Sequence, residues 1–401
     1  MTAVSEAVLP MPDAAVRLTR LSTRGFRNLS RIDLRPPPAG VVIVGENGHG
    51  KTNLLEAAYY FMLLRSSRGA RDADMVQFGR DGFFISAELE GGGAREVSVG
   101  FEKQGKRKRV RMDGAEVPRM SSALGSLPSV MVSPRDVSLV SGPPSERRRF
   151  LDVVLAVTSR RYLHALQHYR GALARRNAAI RAVQRSSGSG GEEKAAVWEP
   201  ALAEHGSVLW QERAEWVRTH RARYASLCTA IGERGTSGMR LVSNTPAVLD
   251  AADRREALAS AFAARRAHDL RRGLTSVGPH RDDLALTLDD RDLRLFGSAG
   301  QQRTASIALR LLEAETLRAR IGAPPLMLLD DPFAELDARR AERILGLLDE
   351  SGLGQVLLAV PRVADIPAEF TRLERVGILD GELAAAPANE RVGGVLPMEA
   401  P

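Results

Sequence analysis

Three short stretches of this chain combine residue types suited to handling a polyphosphate. The first is GENGHGKT at residues 45–52, where Gly45, Gly48 and Gly50 let the backbone bend until successive N–H groups face phosphate oxygens. Lys51 reaches for the β- and γ-phosphates, Thr52 offers a hydroxyl to Mg²⁺, and Glu46, Asn47, His49 and Asn53 complete the loop and its exit. The second is the run Leu326, Met327, Leu328, Leu329 ending in Asp330 and Asp331. Asp330 is placed to hold Mg²⁺ directly or through water, and Asp331 to orient or deprotonate an attacking water. Lys51 and Asp331 are therefore the catalytic candidates. The third is SAGQQ at 298–302, where Ser298 suits a helix cap, Gly300 permits close backbone approach and Gln301 follows. Each stretch alone has an ordinary reading, as a glycine-rich turn, a strand running into a turn, or a helix start. Their order in one chain favours a nucleotide site.

Elements must then position these groups. Val41 to Val44 read as a buried strand before the loop, and Leu54, Leu55, Ala58, Phe61 and Met62 place one apolar helical face after it. Acids at the carboxyl ends of parallel strands lie at the same sheet edge as such a loop, the Walker B arrangement. Val97, Val99 and Phe101 alternate with polar residues, and a turn at Gly105 leads to Val110 and Met112, predicting an antiparallel hairpin. Its return arm carries Lys106, Arg107, Lys108, Arg109 and Arg111, which suit either a DNA backbone or a solubilising edge strand. Ser145 is read as the N-cap of about forty helical residues, and further helical patterns cover 194–232 and 254–272. The GPHRDD turn then returns the chain to a strand at Leu284, Leu286 and Leu288.

Composition narrows the class. The 401 residues are 44% hydrophobic and 26% charged, an ordinary globular balance with room for two or three domains. Net charge is +8, with pI near 10.1, which favours a polyanionic partner. Residues 145–185 hold ten arginines against Glu146 and Asp152, a local +8, so Arg147, Arg148, Arg149, Arg175 and Arg176 join the hairpin cations as DNA-binding candidates. Cys228 is the single cysteine, which excludes an internal disulfide framework and a cysteine zinc cluster. No apolar run is long enough for a membrane span, and a cytoplasmic, nucleoid-associated location is expected.

The order phosphate loop, long insertion, SxGQ, helix, LLDD, then Glu335, Leu336 and Asp337 resembles the ABC-type ATPase head of the SMC-like class. Within that class the stretches RLTRLSTRGFRNLSRIDL, SPRDVSLVSGPPSERRRFLDVVL, GPHRDDL, FGSAGQQRTASIAL and MLLDDPFAELD are similar to the RecF family of bacterial DNA repair proteins, and the resemblance runs from Val16 to about Asp380. It implies an α/β fold, an ABC-type P-loop ATPase head with a mixed sheet, antiparallel strands and flanking helices, plus an inserted short helical arm. It implies ATP and Mg²⁺ as cofactors and weak, DNA-stimulated ATP hydrolysis. An ATP-dependent homodimer would form on double-stranded and gapped DNA, with RecR, RecO and RecA as partners in recombination and the SOS response and no membrane partner. Ser298, Gly300 and Gln301 would complete the nucleotide site of the other subunit in trans, with Asp337 as D-loop aspartate. Arg27 of GFRNL would approach the phosphates or form a surface ion pair.

The corresponding segmentation is a tail at 1–15, a lobe at 16–144 with phosphate loop and hairpin, a helical arm at 145–272, the rest of the head at 273–383, and a tail at 384–401. SPRD at 133–136 occupies the Q-loop position without a glutamine, leaving its metal role open, as is the role of His280 and Arg281. Pro361 and Arg362 stand where related ATPases place a γ-phosphate-sensing histidine, which implies slow hydrolysis. An SMC-like structural tether using ATP as dimer glue is the competing reading. The insertion is too short for a long coiled coil.

Overall fold

The structure is a computed structural model that describes residues 16–186, 191–245, 247, 251–333, 338–350 and 354–385. These fall into two compact units interleaved along the chain: 16–134, 321–333 and 354–385 in the first, 135–320 and 338–350 in the second. Asp337, the stretch before Val16 and the chain after Ala385 lie outside the described residues.

Among the described residues twelve strands form the two sheets of the first unit. They are β1 (Arg17–Phe26), β2 (Leu29–Leu34), β3 (Gly40–Val44), β4 (Gly82–Glu90), β5 (Glu96–Glu102), β6 (Arg107–Met112), β7 (Ala115–Glu116), β8 (Ser129–Val132), β12 (Leu326–Asp330), β13 (Val356–Val360), β14 (Glu374–Leu379) and β15 (Glu382–Ala384). One sheet runs β15-β14-β3-β13-β12-β8, parallel except for the edge hairpin β14-β15. Every residue of β3, β8, β12 and β13 is buried, which is why these strands read as unbroken apolar runs rather than alternating ones. Ala359 of β13 pairs with Ile43 on one side and Asp330 on the other, so a single strand separates the phosphate loop from the Asp330 carboxylate.

The other sheet, β2-β1-β4-β5-β6-β7, is antiparallel. The expected hairpin forms in it: Val97 pairs with Met112 and Val99 with Val110, and Gly105 turns the chain at φ 74°. Helix α1 (Lys51–Leu63) touches strands of both sheets. Its anticipated face is buried, and so are Ala57, Tyr59 and Tyr60, because the second sheet covers the side that a one-sheet arrangement would leave open. Phe26, Tyr60 and Phe83 meet there edge to face, at centroid distances of 5.3 to 6.2 Å. Buried Gln355 joins the two sheets: its amide accepts from Leu18 N–H at 2.8 Å and donates to the Leu18 and Pro37 carbonyls at 2.9 Å.

The main helices of the second unit are α2 (Pro144–Thr158), α3 (Arg160–Ser186), α4 (Glu199–Ile231), α5 (Arg254–Arg272), α6 (Ala299–Ile321) and α7 (Ala338–Glu350), joined by shorter ones and a small antiparallel sheet. That sheet runs β11-β10-β9, with β9 (Ser237–Val242), β10 (Asp283–Leu288) and β11 (Arg291–Asp292). Two differences from the sequence reading stand out. The single long helix starting at Ser145 is two helices. Pro144 occupies the first turn, where its missing N–H is harmless, and Ser159 interrupts the chain in extended geometry while its Oγ accepts from Tyr162 N–H at 3.1 Å. Residues 273–320 group with the helical arm rather than with β12, because β10 pairs with β9 and the acids of GPHRDD are bound by arginines of α2 and α4.

Candidate nucleotide site and basic surfaces

The phosphate loop leaves β3 with its backbone already curved: Gly48 has φ 92°, and Gly50, at φ 111°, sits at the N-terminus of α1. No side chain caps α1, so the N–H groups of its first turn remain for a ligand. Lys51 folds back over the loop, its Nζ donating to the carbonyls of Gly45 at 2.5 Å and Glu46 at 3.0 Å, with Asn47 Oδ1 at 3.5 Å. Burial pushes the Lys51 ammonium down from its usual pKa, against the pull of Asp330, Asp331 and Glu46. An entering phosphate would replace loop carbonyls with full negative charge.

Thr52 Oγ1 donates to the Asp330 carboxylate at 2.9 and 3.0 Å. Burial raises the Asp330 pKa, while the Thr52 hydrogen bond and Lys51 act against the rise. A hydroxyl and a buried carboxylate at one point are hard oxygen donors, and a divalent cation there would stabilise the ionised carboxylate that burial disfavours. No three metal-ligating side chains cluster among the described residues. Mg²⁺ commonly keeps several waters and takes phosphate oxygens rather than a full protein cage. Asp331 adopts φ 46°, and its N–H donates to the Ala359 carbonyl at 2.9 Å, which fixes the backbone next to Asp330.

Three supports of the loop escaped the sequence reading. Asn28 donates to the Gly48 carbonyl at 3.0 Å and accepts from Asn53 at 2.7 Å, and Arg68 donates to Asn53 in turn. The β14-β15 turn closes over the loop from the other side: Asp380 N–H donates to His49 Nδ1 and Gly381 N–H to the His49 carbonyl, both at 3.0 Å. Gly381 has φ 81°, and any Cβ there would collide with the Asn28 carbonyl. The adjacent "GFRNL" and "DG" strings were the available signals.

Arg27 turns to Glu56, a fully buried carboxylate, at 3.0 and 3.2 Å, and also reaches Ser66 at 3.3 Å. Of the two roles expected for Arg27, the structure shows an ion pair, made with a buried rather than a surface carboxylate. Glu56 also receives Arg68. Burial alone would raise its pKa, but Arg68, Ser66 and Arg27 together bring it to about 2.

The family model describing the RecF/RecN/SMC N-terminal domain matches residues 17–362. The DNA replication and repair protein RecF of Frankia alni is 36% identical over 382 residues, covering 92% of this chain and 100% of that one. This chain belongs to the RecF family. RecF of Deinococcus radiodurans is 39% identical over 339 residues, covering 83% of this chain and 87% of its own. A solved structure described as the recombination mediator protein RecF with ATP in the RecFOR pathway superposes with TM-score 0.83 at 25% identity, covering 95% and 100% of the two chains. An Smc head bound to the C-terminal domain of ScpA, from Pyrococcus furiosus, agrees in fold alone, at TM-score 0.50 and 15% identity. The fold is that of an ABC/SMC-like ATPase head.

The SAGQQ stretch is built as a helix cap. Ser298 Oγ accepts from Gln301 N–H at 3.3 Å, Gln301 Oε1 accepts from Ser298 N–H at 2.8 Å, and Ser298 is exposed at the start of α6. A Cβ on Gly300 would lie 2.8 Å from an Arg340 guanidinium nitrogen. In SPRD, Asp136 is bound by Arg310 at 2.6 and 3.1 Å, and Arg310 also holds Glu313 at 2.7 Å, so this acid anchors α6. Pro361 and Arg362 follow β13 as expected, and Arg362 pairs with Asp365 at 3.1 Å.

Several DNA-binding candidates are corrected. Arg176 has no exposed surface and binds Asp269 at 2.8 Å, Glu199 at 3.0 Å and Thr275 at 2.8 Å. Arg147 is buried between Asp283, at 2.7 and 2.9 Å, and three backbone carbonyls. Arg148 donates to the Asp282 carbonyl at 2.6 Å and Arg149 is half-buried with contacts of its own. Lys108 lies over the Tyr60 ring at 5.0 Å, bound to Asp72 at 3.1 Å and to the Leu64 carbonyl, and burial lowers its pKa. Lys106, Arg107 and Arg175 remain exposed, the last 5.2 Å from the Trp198 ring centre, and Arg109 is half-buried.

His280, half-buried, and Arg281, exposed, join the same network at the buried Thr275. His280 Nδ1 meets Tyr169 Oη at 2.7 Å and its Nε2 meets the Thr275 carbonyl at 3.1 Å, while Arg281 donates to that carbonyl at 3.0 Å. Asp282 accepts from Trp210 at 2.5 Å and from Arg213 at 3.2 Å. The motif is a cross-brace between α3, α4 and β10.

Proposed function

We propose that this chain is an ATP-switched DNA-binding repair factor. ATP and Mg²⁺ bind at residues 45–52 with Thr52 and Asp330, and the exposed Ser298 cap of a second copy closes on the γ-phosphate. The dimer forms on duplex DNA near single-strand gaps and is released by slow hydrolysis. With RecO and RecR it promotes RecA loading, as the RecFOR description of its structural relatives suggests. The observation that carries this reading is the Thr52–Asp330 pair beside an uncapped helix N-terminus, together with a signature serine held at an exposed helix start. When bound, Mg²⁺ neutralises phosphate charge. Lys51 adds to that neutralisation, Asp331 orients water, and each acts by electrostatic positioning.

Analytical ultracentrifugation of wild type, Lys51→Met and Ser298→Arg with Mg·ATP, with and without gapped duplex, tests it. Dimerisation of wild type alone is expected; an oligomeric state indifferent to nucleotide would sink the switch. Asp331→Asn separates the tether alternative: dimers that form but do not turn over support hydrolysis as the release step, and unchanged turnover supports ATP as glue.

A further inference from the structure

The phosphate loop is gripped by a turn that lies 331 positions further along the chain. β14 pairs with β3, Gly377 opposite Val44, so the β14-β15 turn at Asp380 and Gly381 comes to rest beside the loop. The contact is tight enough to exclude side chains on both parties. A Cβ on Gly45 would strike the Ile378 carbonyl, and a Cβ on Gly381 would strike that of Asn28. Gly45 has no positive φ, so its glycine answers to β14 rather than to its own backbone conformation.

Two consecutive loop carbonyls are taken by donors outside the loop: that of Gly48 by the Asn28 amide and that of His49 by Gly381 N–H, both at 3.0 Å. A trans peptide unit points its N–H opposite to its carbonyl, so the N–H groups of His49 and Gly50 are turned to the other side. That side is the loop interior. His49 N–H lies 3.4 Å from the Glu46 carbonyl, the same oxygen to which Lys51 Nζ donates at 3.0 Å. The His49 ring completes the grip, its Nδ1 accepting from Asp380 N–H at 3.0 Å. The Asp380 carboxylate is 3.2 Å from the same nitrogen, so a protonated ring would exchange the backbone bond for an ion pair.

We propose that the β14-β15 turn is a positioning element for phosphate binding, with His49 as the positioning residue: the turn holds the 49–50 peptide with its N–H aimed into the loop before a nucleotide arrives. The inference rests on the nucleotide-site reading above and makes a turn outside every phosphate-binding motif a determinant of affinity. In an unheld glycine-rich loop each peptide unit samples many orientations, and binding must fix them at an entropic cost. A loop fixed in advance escapes that cost. Backbone N–H groups of such loops face the α- and β-phosphates, so ADP and ATP should depend on the turn equally.

The test is equilibrium binding of N-methylanthraniloyl ADP and ATP, with Mg²⁺, to wild type, His49→Ala, His49→Phe and His49→Asn, each also followed by thermal unfolding without nucleotide. His49→Ala and His49→Phe are expected to weaken both nucleotides about fivefold, the equivalent of one hydrogen bond. His49→Asn puts a carboxamide oxygen near the position of Nδ1 and should recover affinity to within about twofold of wild type. Gly381→Ala drives the turn off Asn28 with the loop sequence intact, and should weaken both nucleotides at least as much as His49→Ala. Wild-type affinity in His49→Ala, His49→Phe or Gly381→Ala, a loss confined to ATP, or a folded His49→Asn that does not recover would overturn the proposal. Lys51→Met measured in parallel keeps the two readings apart. If wild type binds neither nucleotide, both fall together; if Lys51→Met loses binding while His49→Ala and Gly381→Ala keep it, the nucleotide site stands and the turn is only its neighbour.

Discussion

The buried arginines of the helical arm and the sheet-face arginines of the first unit have opposite fates. In the second unit, Arg147, Arg176 and Arg213 are buried and bound to Asp283, Asp269 and Glu199, and to Asp152 and Asp282 respectively. In the first unit, Arg24, Arg107, Arg109 and Arg111 line one half of a sheet face without carboxylate partners among the described residues. By local charge count the helical arm is the more basic of the two, yet its partners Glu199, Asp269, Asp282 and Asp283 all lie outside the window that counts as basic. A charge count along the chain therefore measures potential partners, whereas only unpaired guanidinium groups are available to a polyanion.

That contrast can be broken, first, at its most buried point. Arg176→Ala leaves Asp269 and Glu199 without their shared cation, and a loss of about 3–5 kcal/mol in denaturant unfolding is expected. A loss below about 1 kcal/mol would show that the network is looser than its geometry. Next comes pH. Burial holds His280 neutral with a pKa of about 4, against an ordinary value of 6.5. Unfolding therefore takes up a proton between those values, so stability is fully present above about pH 6.5 and falls as pH drops toward 4. His280→Asn should flatten that part of the stability profile, and an unaltered profile would assign the acid sensitivity elsewhere. Glu56 acts in a lower window, its contribution lost as pH falls from 4.5 toward 2.

Smaller effects sharpen the other side. Arg107→Ala and Arg111→Ala should each reduce the slope of log affinity for duplex DNA against log salt by about 0.9 if they neutralise phosphates, with stability changed by less than about 0.5 kcal/mol. A slope unchanged in both would return the hairpin to the role of solubilising edge. A small loss of stability is expected for Arg175→Ala, which removes one exposed cation–π contact with Trp198 worth about 0.5–1 kcal/mol. Thermal unfolding resolves it.

Much of the candidate site's geometry was legible because its parts are local. A glycine with positive φ, a lysine and a threonine in consecutive positions are placed by the loop and first helical turn themselves, and the Ser298–Gln301 cap closes within three residues. The Asp330–Thr52 contact spans 278 positions, yet apolar strands followed by their polar ends announce it, since parallel strands bring their carboxyl ends to one edge. Less visible was the break at Ser159: TSRR contains a capping residue, but no proline or glycine interrupts the helical pattern. The loop supports Asn28 and Asp380 were harder to read for a different reason: the Asn28 amide meets a backbone carbonyl and the Asp380 N–H meets a histidine ring, each on another element.

The sequence by itself determined the chemistry: a phosphate loop, a magnesium-suited hydroxyl and carboxylate, a capped signature helix and an excess of arginine. Tertiary structure decided which cations remain available. Arg176 meets Asp269 across 93 positions and Arg147 meets Asp283 across 136, distances over which no local pattern specifies a partner. Arg24, Phe84 and Arg109 share a row only because strand register aligns them. Electrostatic pairing acts through space over a few ångströms, and chain order carries that information only after the strands and helices have packed.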